Sequence, residues 1–236
     1  MCTVIYMPYS GGYILCSTRD ESPKRPKANN PEILHSPAHR IICPVDPLGG
    51  GTWCGTNDAG QSIILLNGGY EKHIPAGNYR KSRGLIVREM LENTFDTGFW
   101  DALPLQAIEP FTLVVHTGKN LFELVWDGNY KHLAEHGLHE ARIWGSSTLY
   151  SPEVKAYRKQ LFQNWLNHSP ERNTENLLRF LYSWSDSENG FIMNRHSIVQ
   201  TLSVSVLDHI PGYTTFYYHD LSVPEPMKVS FPIKRS

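Results

Sequence analysis

The chain has 236 residues, 40% of them hydrophobic and 18 of them glycine, a composition that can build a sizeable core and excludes global disorder. Lys and Arg number 22 against 23 Asp and Glu, a formal charge of -1, so no global field draws in nucleic acid or acidic membranes. The longest apolar runs, residues 63–66 and 111–115, fall far short of the ~18 residues of a transmembrane segment, and the N-terminus lacks the layout of a signal peptide. A soluble, cytoplasmic protein that binds no nucleic acid is expected.

The first elements in chain order are apolar, β-rich runs at residues 2–7 and 13–17, separated by Pro8-Tyr9-Ser10-Gly11-Gly12, which predicts a hairpin. Residues 21–47 carry Pro23, Pro26, Pro31, Pro37, Pro44 and Pro47 and predict an ordered surface loop with little regular structure. A second hairpin is expected from residues 52–57 and 61–67 around Asp58-Ala59-Gly60. A helix over about 79–95 then places Leu85, Ile86, Met90 and Leu91 at helical spacing. A short helix near 99–103 ends before Pro104. Strands follow at 111–117, 120–126 and from about 130, the last two joined at Asp127-Gly128.

Ser151 as N-cap, Pro152 at the first position and Glu153 in the first turn open the next helix. Val154, Tyr157, Leu161, Trp165 and Leu166 are its expected buried stripe. Another helix at about 174–184 and strands at 199–207 and 213–219 complete a domain over residues 1–220. Residues 221–236, with three prolines, read as a loosely attached tail. Strands outnumber helices and the two types come in separate runs, which favours an α+β fold of antiparallel sheets with helices packed on them.

All four cysteines, Cys2, Cys16, Cys43 and Cys54, lie in the first quarter of the chain, with no CxxC pair for zinc. Cys16, Cys43 and Cys54 read as small buried hydrophobes. Cys2 is different. Aminopeptidases remove an initiator methionine before a small residue, and a chain starting at Cys2 carries a thiol and an α-amine on one residue. The amine, with an ordinary pKa of about 7.7–8.0, can take the thiol proton, so nucleophile and base come together. A hairpin also returns Ser17-Thr18-Arg19-Asp20-Glu21 to the start of the first strand. There a guanidinium would favour the thiolate and a carboxylate would orient the α-ammonium. A surface salt bridge at a strand end is the competing reading of Arg19 and Asp20.

Met1-Cys2-Thr3, Thr18-Arg19-Asp20-Glu21, residues 50–57 (GGTWCGTN) and residues 82–88 (SRGLIVR) resemble the NRDE family, also called the transport and Golgi organisation protein 2 family. That family is similar to N-terminal nucleophile hydrolases with an N-terminal cysteine, such as bile salt hydrolase and penicillin V acylase. The resemblance implies a four-layer αββα sandwich, two antiparallel sheets between helical layers. It also implies a hydrolase that cleaves a linear amide of a small or lipid-like acyl compound through a thioester, without a cofactor. Cys2 matches the nucleophile, and Arg19 and Asp20 match the residues flanking it. Asn57 matches an Asn before a turn glycine, here Gly60. Asn67 is similar to the strand-end Asn that helps form the oxyanion hole, a role suited to an amide N–H; its plainer reading is a turn residue beside Gly68 and Gly69.

Three positions depart from the family pattern. Thr18 replaces the first residue of the name-giving tetrapeptide, Thr148 stands where a second catalytic Asn would be, and Leu202 stands where a strand usually carries Arg. These departures keep open a non-catalytic lipid- or haem-binding or trafficking protein, and a homo-oligomer also stays open.

Other signals are weaker. Gly49-Gly50-Gly51-Thr52 lacks the Gly-Lys-Ser/Thr ending of a phosphate loop. His132-Leu133-Ala134-Glu135-His136 has a zinc-protease spacing, but it follows a hairpin turn and stops at Gly137, where that chemistry needs a helix. No metal is expected. Phe216-Tyr217-Tyr218-His219 lacks basic neighbours and reads as a strand face rather than a base-stacking platform.

Overall fold

The computed structural model describes residues 3–168, 171–196 and 198–234. The chain opens with a hairpin of β1 (Thr3–Tyr9) and β2 (Gly12–Glu21), then β3 (Asn29–His35), β4 (Arg40–Val45), β5 (Cys54–Asn57) and β6 (Ser62–Asn67). Helices α1 (Arg83–Leu91) and α2 (Thr97–Ala102) precede β7 (Phe111–His116), β8 (Leu121–Trp126), β9 (Lys131–His136) and β10 (Arg142–Gly145). Helices α3 (Pro152–His168) and α4 (Thr174–Ser183) follow, then β11 (Asn194–Arg195), β12 (Val199–Ile210), β13 (Tyr213–Asp220) and β14 (Met227–Pro232).

The strands form two antiparallel sheets, one ordered β10-β1-β2-β12-β13-β14 with β11 against β12, the other β3-β4-β5-β6-β7-β8-β9. Side-chain alternation assigns the layers. Val4, Tyr6, Tyr13 and Leu15 point into the core shared with the second sheet, whereas Ile5, Met7, Ile14 and Cys16 pack with Phe162, Leu177 and Leu181 of α3 and α4. Residues 63–66 of β6 are buried on both faces, covered on the far side by Ile86, Val87, Met90 and Leu91 of α1. This is the expected α+β arrangement of two antiparallel sheets between helical layers. Among the described residues, no helix is long and apolar enough to cross a membrane.

Several elements differ from the sequence-based expectation. Residues 21–47 are not a loop but contain β3 and β4. Strand β3 is a sheet edge, and Pro31 and Pro44 both fall in the register shift between the Asn29↔Val45 and Glu32↔Cys43 pairs, where the ladder needs no N–H from them. Helix α1 spans only residues 83–91 because the Ser82 side chain caps it, accepting from the Gly84 N–H. On α3 the fully buried residues are Arg158 and Phe162; Val154, Leu161, Trp165 and Leu166 of the expected stripe are partly buried against the core, and Tyr157 is exposed. The short edge strand β10 carries no clear alternation, so the sequence pattern does not predict it. Residues 227–232 are not a loose tail: β14 pairs along β13, and Phe231 is fully buried.

Asn57 holds the second hairpin turn: its Oδ1 accepts from the Ala59 and Gln61 N–H groups at 3.1 Å, and Nδ2 donates to the Leu91 carbonyl at 3.0 Å. Gly60 completes that turn at φ 83°. The His132–His136 run lies in β9, where His132 pairs with Asp127 and His136 with Glu123. Among the described residues, no group of three or more His, Cys, Asp or Glu side chains could hold a metal ion.

At one end of the first sheet, the His116 ring is buried against Tyr13, with centroids 3.7 Å apart, and its Nδ1 accepts the Gly118 N–H at 2.9 Å. Burial pushes its pKa down to about 3, with His209 adding repulsion. The folded pKa therefore lies below the unfolded value near 6.5, and the unfolded chain takes up a proton that the native chain refuses. This contribution is complete above about pH 7 and is lost as pH falls through the window from 6.5 toward 3, at up to about 1.4 kcal/mol per pH unit. Urea unfolding between pH 7 and pH 5 should show a shallower loss in His116→Asn than in the wild type; equal slopes would refute this assignment.

Candidate active site

The site is built around the start of β1. Thr3, the first described residue, is paired with Thr18 of β2 on one side and with Gly145 of β10 on the other. Met1 and Cys2, the expected nucleophile, lie outside the described residues. The neighbours of Thr3 on both sides lead directly to the other candidate residues.

On the β2 side, Arg19 and Asp20 are consecutive and project to opposite faces. Both are 4% exposed, which excludes the surface salt bridge that their sequence position also allowed. The Arg19 guanidinium lies 4.4 Å from the Trp53 ring centroid and 3.5 Å from Asp46 Oδ2. Burial draws the Arg19 pKa below its ordinary value, and the Glu21 and Asp46 carboxylates oppose that shift. The Asp20 carboxylate accepts from Tyr150 Oη at 2.7 Å and from Thr201 Oγ1 at 2.6 Å. Thr201 Oγ1 in turn accepts from the Met193 N–H at 2.9 Å, so the carboxylate is oriented by a fixed chain of donors.

Arg158 extends this network. Its guanidinium lies 3.9 Å from the Tyr150 ring centroid and 4.9 Å from that of Phe191, and donates to Thr3 Oγ1 and to the carbonyls of Asn189 and Gly190. An arginine that is 2% exposed on a helix thus ties the first strand to the aromatic partner of Asp20.

On the β10 side, the loop after Gly145 is fastened to the loop after β6. Ser146 Oγ donates to the Asn67 carbonyl at 2.8 Å and lies 2.9 Å from Thr148 Oγ1, while Ser147 Oγ donates to the Gly69 carbonyl at 2.7 Å. Gly68 permits this approach: its φ is +85°, and a Cβ there would lie 2.4 Å from Ser147 Oγ. Asn67 and Thr148 are thereby brought together through Ser146.

Two cavities meet these walls. One of about 270 Å³ is lined by Thr3, Leu66 and Tyr70 together with residues of α3, β8 and β10, among them Ile143, Trp144 and Lys155. A smaller one of about 90 Å³ is bounded by Arg19, Trp53, Asn67 and Arg83. Leu202 is the extra residue in the register shift between the Thr201↔Asp20 and Ser203↔Arg19 pairs, and it lines a separate cavity with Arg19 and Tyr218.

Cys16, Cys43 and Cys54 are buried free thiols; burial pushes Cys16 up to about 12, Cys43 up to about 11, and Cys54 upward as well. They are packing residues with little thiolate at neutral pH. Tyr150 and Arg158 were not anticipated as parts of the site. A charged residue inside the apolar spacing of α3 was the one available signal for Arg158; Tyr150 gave none.

A family model described as Transport and Golgi organisation 2 matches residues 1–218. No curated protein matches the chain. Among solved structures, the chain is similar to a mutant of conjugated bile acid hydrolase from Clostridium perfringens, with a TM-score of 0.62 at 10% identity, covering 100% of this chain and 97% of that one. It is also similar to a Caenorhabditis elegans orthologue of N-acylethanolamine-hydrolyzing acid amidase, with a TM-score of 0.61 at 13% identity over 89% and 93% of the two chains. Penicillin V acylase from Agrobacterium tumefaciens matches with a TM-score of 0.59 at 10% identity over 97% and 86%. At these identities the likeness establishes a shared fold.

Proposed function

The chain belongs to the Transport and Golgi organisation 2 family, and from that premise we propose that it is an N-terminal nucleophile amidohydrolase acting on a linear amide of a small or lipid-like acyl compound. One observation carries the reading: the strand partners of Thr3, the residue after Cys2, lead on one side to Arg19 and Asp20 and on the other to Asn67 and Thr148. The fold shared with hydrolases of conjugated bile acids and N-acylethanolamines supports it.

Removal of Met1 frees the Cys2 amine. The thiol proton passes to that amine and the sulfur attacks the amide carbonyl carbon, forming a tetrahedral oxyanion. The Asn67 side-chain amide and backbone N–H groups donate to the oxyanion. The α-ammonium then gives its proton to the leaving nitrogen as the C–N bond breaks, leaving a thioester on Cys2. Water, deprotonated by the same amine, adds to the thioester and releases the acid and the free thiol. Asp20, held by Tyr150 and Thr201, orients the α-ammonium, and the buried charge of Arg19 favours the thiolate.

Intact-mass measurement of the native protein before and after iodoacetamide at neutral pH tests this reading. The expected result is a chain lacking Met1 that gains one rapid adduct, mapped to Cys2, while the three buried thiols react slowly. Retained Met1, or a Cys2 no more reactive than the others, would overturn it.

Leu202 in the bulge beside Arg19 and Thr148 at the second Asn position favour a second reading, a lipid-binding or trafficking protein that retains the pocket. A Cys2→Ala variant that still binds lipid, together with a wild type that cleaves no amide, would select it. Among the described residues lining the two cavities, Tyr70 is the one side chain of a type that ligates haem iron, so a haem-binding protein stays within this second reading.

A further inference from the structure

The larger cavity carries an excess of positive charge. Lys155, Arg158 and Lys159 of α3 line it against one carboxylate, Glu123. Glu123 Oε2 is already engaged, accepting from Trp144 Nε1 at 3.0 Å and lying 3.0 Å from His136 Nε2. Arg158 is committed to Thr3 and two backbone carbonyls, none of them a carboxylate. Among the described residues, neither Lys155 nor Lys159 makes a salt bridge. They stand four apart on one face of α3, a like-charge spacing that weakens a helix unless something anionic lies between the two. Leu66, Ile143 and Trp144 supply an apolar wall beside these cations.

Resting on the amidohydrolase reading above, we infer that this cavity is the subsite for a negatively charged end of the substrate, with Lys155 and Lys159 pairing a carboxylate or sulfonate while the apolar wall covers the adjoining hydrocarbon. The substrate class is then an anionic amphiphilic amide, not a neutral one. Burial lowers the Lys155 pKa, with Glu123 opposing, as befits a cation whose hydration is partly removed and whose counterion arrives with the ligand. Thr3 lines the cavity, so a molecule seated there adjoins the start of β1.

Two matched pairs of probes test the assignment: N-octanoylglycine against N-octanoylethanolamine, with the charge on the amine side, and suberamic acid against octanamide, with the charge on the acyl side. Calorimetric binding to the Cys2→Ala variant should favour the charged member of at least one pair by about tenfold, the effect of two partly exposed ion pairs. That preference should shrink at high salt and disappear in Lys155→Gln/Lys159→Gln. The exposed Lys159→Gln change alone should lower it about threefold, so the test survives if the double variant does not fold. Equal binding within both pairs, no binding of any probe, or a preference that persists in the variants overturns the subsite. If the charged probe binds as expected but the wild type cleaves none of the four, the subsite stands and the hydrolase reading fails. Turnover with equal kcat/KM for charged and neutral members would leave hydrolysis standing and remove the subsite.

Discussion

Under the proposed mechanism, replacement of Cys2 by alanine is expected to lower amide turnover by at least about a thousandfold, because it removes the sulfur that would form the thioester. The other thiols cannot substitute. Cys16, Cys43 and Cys54 are buried, and their raised pKa values deny them the thiolate at neutral pH. The fold should be unaffected, since Thr3 keeps its pairing with Thr18 and Gly145 and its bond from Arg158. The measurement is kcat for an amide cleaved by the wild type, alongside mass detection of an acyl adduct on Cys2 after rapid quenching. Turnover within tenfold of wild type, or an adduct on another residue, would remove Cys2 from the mechanism.

Arg158→Leu should destabilise the protein by about 3 kcal/mol or more, a fall in Tm of about 6–12 °C for a chain of this size. The guanidinium is the hydrogen-bond donor to Thr3 Oγ1 and to the carbonyls of Asn189 and Gly190, and it stacks on Tyr150 and Phe191. Leucine restores part of the volume but leaves buried acceptors unsatisfied. Lysine should recover only a fraction, because one ammonium cannot serve acceptors spread over the fork geometry of a guanidinium. The segment it anchors has no slack: a Cβ at Gly190 would lie 2.3 Å from the Asp186 nitrogen. Thermal unfolding by circular dichroism decides the matter, and a melt within 2 °C of wild type would show that Arg158 is a spectator. Because Arg158 holds Thr3, any folded variant should also lose kcat more than it raises KM, as expected of a positioning residue.

Local patterning in the sequence determined much of this protein. The Gly11 and Gly60 hairpins, the capped start of α3, the long strands β7, β8, β12 and β13, and the packing role of three cysteines all follow from short-range rules: turn glycines, N-caps, alternation and apolar composition. The quoted segments around Cys2, Arg19 and Asp20 also pointed to the family and to its fold. Where long-range context overrides local preference, the sequence was silent or misleading. Prolines at 31 and 44 suggested a loop, and only the bulged edge position of β3 makes them compatible with a strand. The prolines around β14 suggested a tail, and only the open edge of β13 turns it into a strand. The burial of Arg19 and Asp20, the hold of Tyr150 and Thr201 on that carboxylate, and the fastening of Asn67 to Thr148 through Ser146 join residues more than seventy positions apart. Such contacts have no periodicity to announce them. They exist because β1 is flanked by β2 and β10 and β2 by β12, pairings that sheet topology alone decides.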